Sequence, residues 1–215
     1  MIRFEQVTFA YPNRQDFRLT VDFFASGACT ALLGENGSGK TTFGKLAAGI
    51  LKPDTGRILY DGQDIAGLKL GEIGRQAGYL FQEPARQIFA ARPLEEIAFP
   101  LELRGMAKPE AEQKARALCE EFELNDTLDQ TTYTLSRGEK QRLALAAIMA
   151  CEPRFLVLDE PTTGLDRRRR ELLAATLRRL LARDLGLLVI THDRTFAESL
   201  GADPRFIKEG VLLDG

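Results

Sequence analysis

The sequence predicts an α/β fold built on a mainly parallel sheet, and three observations carry that reading. Residues 154–158 and 187–191 are short, almost wholly apolar runs, and 206–208 forms a third short strand pattern. They alternate with helical patterns at 138–150, 167–182 and 194–200. Strands apolar on both sides must be covered on both faces, which crossover helices do. The third observation is composition: 215 residues, 44% hydrophobic and 28% charged. A chain of that kind buries a sizeable core without staples, which excludes disordered, collagenous and disulfide-scaffold classes.

The elements follow in order. Residues 2–9 and 17–24 alternate apolar and polar side chains, with YPNRQD (11–16) between them as turn chemistry. Residues 29–33 are a short apolar run, followed by a Gly-rich loop and a helix from about Lys40 to Leu51 that PDTG (53–56) stops. Residues 57–60 form a strand ending at the Asp61-Gly62 turn, and 78–82 reads as a strand end. The middle changes character. Residues 93–104 and 109–124 have helical periodicity, each opened by a proline, with Gly105 after the first. The second places Ala115, Leu118, Cys119 and Phe122 on one face of a charged amphipathic helix. We read about 85–135 as a helical insertion between α/β parts, with no internal repeat.

Charge and cysteine content narrow the classes. Lys+Arg number 29 against 31 Asp+Glu, a net charge of −2, which argues against a general nucleic-acid or membrane-surface binder. No apolar run reaches the ~18 residues of a membrane span, and the N-terminus shows no signal-peptide pattern. Cys29, Cys119 and Cys151 are odd in number and far apart, which fits a reducing cytosol and no disulfide framework. No His/Cys cluster has zinc spacing.

GENGSGKT at 34–41 matches the phosphate-loop pattern G-x-x-x-x-G-K-[ST]. Glycines let the backbone wrap N–H groups around phosphate oxygens, and the following helix points its positive end at the same anion. Asn36, Gly37, Ser38, Gly39, Lys40, Thr41 and Thr42 form the candidate phosphate site. Lys40 reaches the β/γ-phosphates, and the Thr41 hydroxyl ligates Mg²⁺. An apolar strand before the motif and a helix after it agree with nucleotide binding.

FLVLDE (155–160) is an apolar strand ending in two carboxylates. Asp159 is the candidate for holding Mg²⁺, through water, and Glu160 the candidate for polarising the attacking water. Alone, such a pair is more often a solvated turn before Pro161; beside a phosphate loop on a neighbouring parallel strand the functional reading prevails. In LSRGE (135–139), Ser136 fits a helix cap that leaves N–H groups for an anion, although a plain capped helix explains the same residues. His192, the one histidine, follows an apolar strand, where sites in α/β sheets form; an ordinary structural histidine is the alternative.

Together these motifs resemble the nucleotide-binding domain of the ATP-binding cassette (ABC) family, from about Met1 to Gly215. LSRGE is similar to that family's LSGGQ signature, departing at Arg137 and Glu139; TTGLD (162–166) resembles its D-loop, Gln82 its Q-loop glutamine and His192 its switch histidine. The resemblance implies a phosphate-loop NTPase core, an N-terminal antiparallel β-subdomain and an inserted α-helical subdomain within one domain, 1–215. It implies that Tyr11 stacks on adenine and that Gln82 contacts Mg²⁺ and senses the γ-phosphate. Ser136, Gly138 and Glu139 would approach ATP held by a partner subunit, Asp166 would lie at the dimer interface, and His192 would hold the γ-phosphate and the attacking water. Lys40, Gln82, Glu160 and His192 are then the catalytic set, and ATP with Mg²⁺ the substrate and cofactor.

The segment FQEPARQIFAARPLEEIAFPLELR (81–104) resembles the Q-loop region of energy-coupling factor (ECF) importer ATPases, and FAYP (9–12) resembles that subfamily's opening. Glu83, Arg86 and Pro93-Leu94 depart from its pattern. The resemblance implies a second ABC ATPase subunit, identical or a paralogue, a transmembrane T-component, a substrate-binding membrane subunit for a vitamin or transition-metal ion, and a place at the cytoplasmic face of the membrane. Another transporter type is the alternative. A cassette acting on DNA or ribosomes fits less well, because the insertion is too short for a coiled coil. No nucleic acid is expected: the basic run 167–170 is short and reads as a solvated helix face.

Overall fold

The computed structural model describes residues 1–13, 16–25 and 28–213. Contacts divide it into two compact units, Met1–Tyr79 with Arg154–Gly215, and Leu80–Pro153.

In the first unit, β1 (Ile2–Ala10) pairs antiparallel with β2 (Arg18–Phe24). The turn expected at 11–16 falls partly on residues 14 and 15, outside the described residues. β3 (Cys29–Leu33) is buried along its length, as its apolar run predicts, and leads into helix α1 (Lys40–Ala47). α1 is shorter than the sequence predicts. Gly49 takes a left-handed φ of 65° and Ile50 N–H donates back to Lys45 O at 2.8 Å, a glycine C-cap that ends the helix early. β4 (Thr55–Tyr60) pairs with β1 and with the short β5 (Gln63–Asp64), through a turn in which Asp61 and Gly62 both have positive φ. A single turn, α2 (Leu70–Ile73), precedes β6 (Ala77–Leu80).

In the second unit, α3 (Pro93–Leu103) and α4 (Lys108–Glu121) pack together, and α5 (Arg137–Met149) packs on both. α4 buries Ala111, Ala115 and Cys119, and Phe122 just beyond it, which is the face the sequence predicts apart from Leu118.

The first unit resumes with β7 (Phe155–Asp159), α6 (Arg167–Leu181), β8 (Gly186–Thr191), α7 (Arg194–Ser199), β9 (Asp203–Lys208) and β10 (Val211–Leu213). β3, β7, β8 and β9 run parallel, β3 lying between β8 and β9 and β8 between β3 and β7. β10 pairs antiparallel with β9 and parallel with β2, and so sews the N-terminal antiparallel strands to the parallel ones. The sheet order is β5-β4-β1-β2-β10-β9-β3-β8-β7-β6. The fold is α/β with a mainly parallel, curled sheet and an antiparallel portion. A stack of Phe4 on Phe43 (centroids 4.6 Å apart), with Phe23 edge-on to both, packs α1 against β1 and β2. No helix among the described residues is long and apolar enough to cross a membrane.

Candidate functional site

The phosphate loop joins β3 to α1. Gly39 takes φ 107° as the N-cap of α1, a torsion that suits glycine. The helix start has neither a side-chain cap nor an acidic residue in its first turn. Its first N–H groups are therefore left for an anion. Gly37, at φ 85°, has open space where a side chain would stand, so the backbone can approach a ligand closely.

Lys40 is buried, yet its ammonium stays beside the loop because it donates to Gly34 O and Glu35 O, both at 2.8 Å. The Ser38 hydroxyl oxygen is buried with no hydrogen-bond partner, while Ser38 O accepts from Gly210 N in the β9–β10 turn at 2.9 Å. Tyr11 Oη lies 3.3 Å from Thr42 Oγ1, which sets this ring beside the first turn of α1, and Phe9 meets it edge-on at 4.9 Å. Asn36 and Thr41 are exposed.

β7 and β8 deliver the acidic and imidazole groups. Asp159 ends β7 with 3% of its surface exposed. Thr41 Oγ1 donates to its Oδ1 at 3.1 Å, and Tyr79 Oη donates to its Oδ2 at 2.8 Å. Burial pushes the Asp159 carboxyl above the ordinary carboxylate range, while the Tyr79 and Thr41 hydroxyls pull it back. Burial, and then the charge of Asp159, push the Tyr79 phenol well up, so it stays a donor.

Glu160 follows with a left-handed φ of 47°, unusual for a non-glycine residue and costly by about 1–2 kcal/mol. Its N–H is tied to Ile190 O of β8 at 2.8 Å. Oε2 lies 2.9 Å from His192 Nδ1, whereas Oε1 is buried without a hydrogen bond, 3.9 Å from Lys40 Nζ. His192 itself is largely exposed. A cavity of about 550 Å³ opens beside these groups, lined by residues 34–38, His192, Arg194 and the β9–β10 turn.

The first unit thus brings together Tyr11, the phosphate loop, Asp159, Glu160 and His192. Asp166 lies in this unit too, as the N-cap of α6, where its carboxylate accepts from Arg169 N at 2.9 Å. The basic run beside it is exposed, with Arg167 paired to Glu171, Arg169 to Asp166 and Arg170 to Asp193.

The other candidates stand in the second unit. Ser136 and Glu139 form a capping box on α5: Ser136 Oγ accepts from Glu139 N, and Glu139 Oε2 accepts from Ser136 N at 2.7 Å. Gly138 is buried in the first turn of the same helix. Gln82 is exposed, and its carbonyl oxygen lies 3.4 Å from an Arg137 guanidinium nitrogen. Beyond it, Glu96 is buried and accepts from Phe89 N and Ala90 N, holding this loop to the start of α3.

Sequence reasoning left two first-unit residues without a role. Gly44, an expensive choice inside a helix, lies where a Cβ would overlap Ile190 and press on Val157 of β8 and β7, so glycine lets α1 settle onto the sheet. Tyr79 drew no attention because its partner is 80 residues away in sequence.

The profile of the ABC transporter family matches residues 18–163. The chain belongs to the ABC transporter family. Its enzymatic class is that family's ATPase, the nucleotide-binding component of the transporter.

The ECF transporter ATP-binding protein EcfA1 of Geobacillus kaustophilus is 36% identical over 220 aligned residues, covering all of this chain and 78% of that protein. A protein of Methanosarcina acetivorans named for an ABC transporter ATP-binding function is 41% identical over 190 residues; the match takes in 88% of this chain but only 31% of that longer protein. Among solved structures, cbiO1 of Clostridium perfringens, part of the ABC transporter complex cbiONQ, superposes with a TM-score of 0.87 at 27% identity, over 99% of this chain and 86% of its own. This ABC ATPase therefore resembles the ECF subfamily.

Proposed function

We propose that the chain is the ATP-hydrolysing subunit of an ECF-type importer of a vitamin or transition-metal ion. It works at the cytoplasmic face of the membrane, paired head-to-tail with a second ABC ATPase subunit and docked on a transmembrane T-component and a substrate-binding membrane subunit. Two supports favour this reading over other transporters: the 81–104 segment, and the similarity that runs the length of the chain to EcfA1.

The observation that carries the chemistry is Glu160 Oε1, a buried carboxylate oxygen with no hydrogen-bond partner, 3.9 Å from Lys40 Nζ and beside the phosphate loop. It takes a proton from a water aligned with the γ-phosphate of ATP. The water oxygen bonds to phosphorus as the bond to the β–γ bridging oxygen breaks, and the electron pair leaves with ADP. Lys40 and His192 stabilise the charge on the transferring group. Ser136, Gly138 and Glu139 of a second copy approach the same phosphate, and Asp166 lies at the interface between copies. Tyr11 stacks on the adenine.

The donor set fits Mg²⁺. A threonine hydroxyl and a buried carboxylate 3.1 Å apart are hard oxygen groups at the mouth of a phosphate cradle, the few-ligand arrangement Mg²⁺ takes with nucleotides. Thr41 and Asp159 would hold the ion, which would supply neutralisation of the phosphate oxygens.

The test is Glu160→Gln in the membrane complex. Steady-state hydrolysis is lost, ATP binding is kept, and a dimer is trapped with nucleotide. Normal turnover removes Glu160 from its role. Co-purification from native membranes then identifies the partners, and recovery without a T-component removes the ECF reading while leaving the ATPase chemistry standing.

A further inference from the structure

We propose that Tyr79 is a positioning residue for Asp159, locking the carboxylate in the orientation that serves the divalent cation of the bound nucleotide. The inference rests on the reading of Asp159 and Thr41 as the cation-side pair.

The two oxygens of Asp159 have different donors. Oδ1 faces Thr41 Oγ1 at 3.1 Å, and Oδ2 takes the Tyr79 hydroxyl at 2.8 Å. Rotation about the terminal torsion of an aspartate is broad and two-fold, so one donor leaves the group free to swing. A second donor on the far oxygen removes that freedom, and a hydrogen bond to an ionised acceptor is roughly twice as strong as a neutral one. Thr41 has a second task once nucleotide arrives, because a lone pair of its hydroxyl oxygen then serves the cation while its proton faces Asp159. The Tyr79 bond is made to the other oxygen, Oδ2, by a hydroxyl that has no assigned role towards the cation.

Tyr79 is itself held. It is 8% exposed, on the short strand β6 at the edge of the sheet next to β7, which carries Asp159. Its ring packs at α1 where Gly44 has no side chain: a Cβ there would stand 3.4 Å from the ring. The anchor therefore spans β6, α1 and β7. Mg²⁺ demands near-ideal octahedral geometry, so a carboxylate turned away from it loses affinity rather than adapting. Removing partners that orient metal ligands typically costs 10–100-fold in metal affinity.

The experiment uses the full chain and Mn²⁺ as an EPR-visible probe, titrated in the presence of adenylyl-imidodiphosphate. Tyr79→Phe is compared with wild type and with Asp159→Asn. A parallel titration of the same nucleotide in EDTA reads binding without metal. The expected result is a Mn²⁺ affinity about 10–100-fold weaker in Tyr79→Phe, with unchanged nucleotide affinity in EDTA. A merely structural role would move both readings together, and that outcome overturns the proposal. So does wild-type Mn²⁺ affinity in Tyr79→Phe when Asp159→Asn is weakened; Asp159 then keeps its role and Tyr79 loses its own. Unchanged affinity in Asp159→Asn overturns the cation-side reading of Asp159 itself. Should Tyr79→Phe fail to fold, Tyr79→Met repeats the test with another apolar side chain that lacks the donor.

Discussion

His192 Nδ1 and Glu160 Oε2 lie 2.9 Å apart, joining the ends of two neighbouring parallel strands through one hydrogen bond. The bond occupies one carboxylate oxygen and leaves the other, the buried Oε1, without a hydrogen bond. The imidazole thus aims the carboxylate while remaining largely exposed itself.

Replacing the imidazole therefore removes the aim of Glu160 and the donor proposed for the transferring phosphate. His192→Ala should lower kcat of the assembled complex by about 10²–10³-fold, the loss expected for one preorganised donor. Nucleotide affinity should stay near wild type, since the phosphate loop is untouched. Steady-state hydrolysis and equilibrium nucleotide binding check this, and a loss of binding equal to the loss of rate would refute it.

Gly44→Ala separates helix propensity from packing. Propensity alone predicts a gain of about 1 kcal/mol. Overlap of the new Cβ with Ile190 and pressure on Val157 predict an overpacking cost of about 1–3 kcal/mol. Packing should win, and Tm should fall by a few degrees in thermal melts. A rise in Tm would show that α1 moves off the sheet without cost.

Glu96 sits where burial raises its carboxyl above the ordinary range, opposed by the N–H groups of Ala90 and Phe89. The folded state then holds this proton more tightly than the unfolded state. The contribution of Glu96 is most favourable below the ordinary glutamate pKa, and it declines as pH rises through that range towards the folded pKa. Glu96→Gln keeps an acceptor oxygen without the buried charge, so its stability relative to wild type should improve as pH rises from 4 to 7. Glu96→Ala orphans two N–H groups and should cost about 1–3 kcal/mol. Denaturant unfolding of the three proteins across that pH range is the measurement.

Ser136 has a structural use, the α5 cap, and a proposed use towards nucleotide on a second copy. Ser136→Ala should cost about 1 kcal/mol of stability through the lost cap. Ser136→Asp restores a good cap yet sets a negative charge where phosphate is expected. It should therefore melt near wild type while the complex loses most of its hydrolysis. A fully active Ser136→Asp would leave Ser136 as a cap alone.

What the amino-acid sequence determined by itself is whatever depends on short stretches of chain. The apolar run 29–33 and the glycines after it dictate a buried strand, an open loop and an uncapped helix start, because torsions and local hydrogen bonds decide them. The prolines at the starts of α3 and α4 and the Ser136 cap set helix ends for the same reason. The tertiary structure alone decided what rests on distant pairs. β10, three residues long, carries no pattern of its own and exists because β2 and β9 leave it a place between them. Gly44 looks like a weak helix residue until Ile190 stands against it. Asp159 and Glu160 read as an acidic pair in the sequence, but they diverge in space. One is held by Tyr79 and Thr41, the other turned by a left-handed backbone towards His192 and Lys40. Two neighbours in the chain acquire different chemistry because the partners that orient each come from other strands and from the phosphate loop.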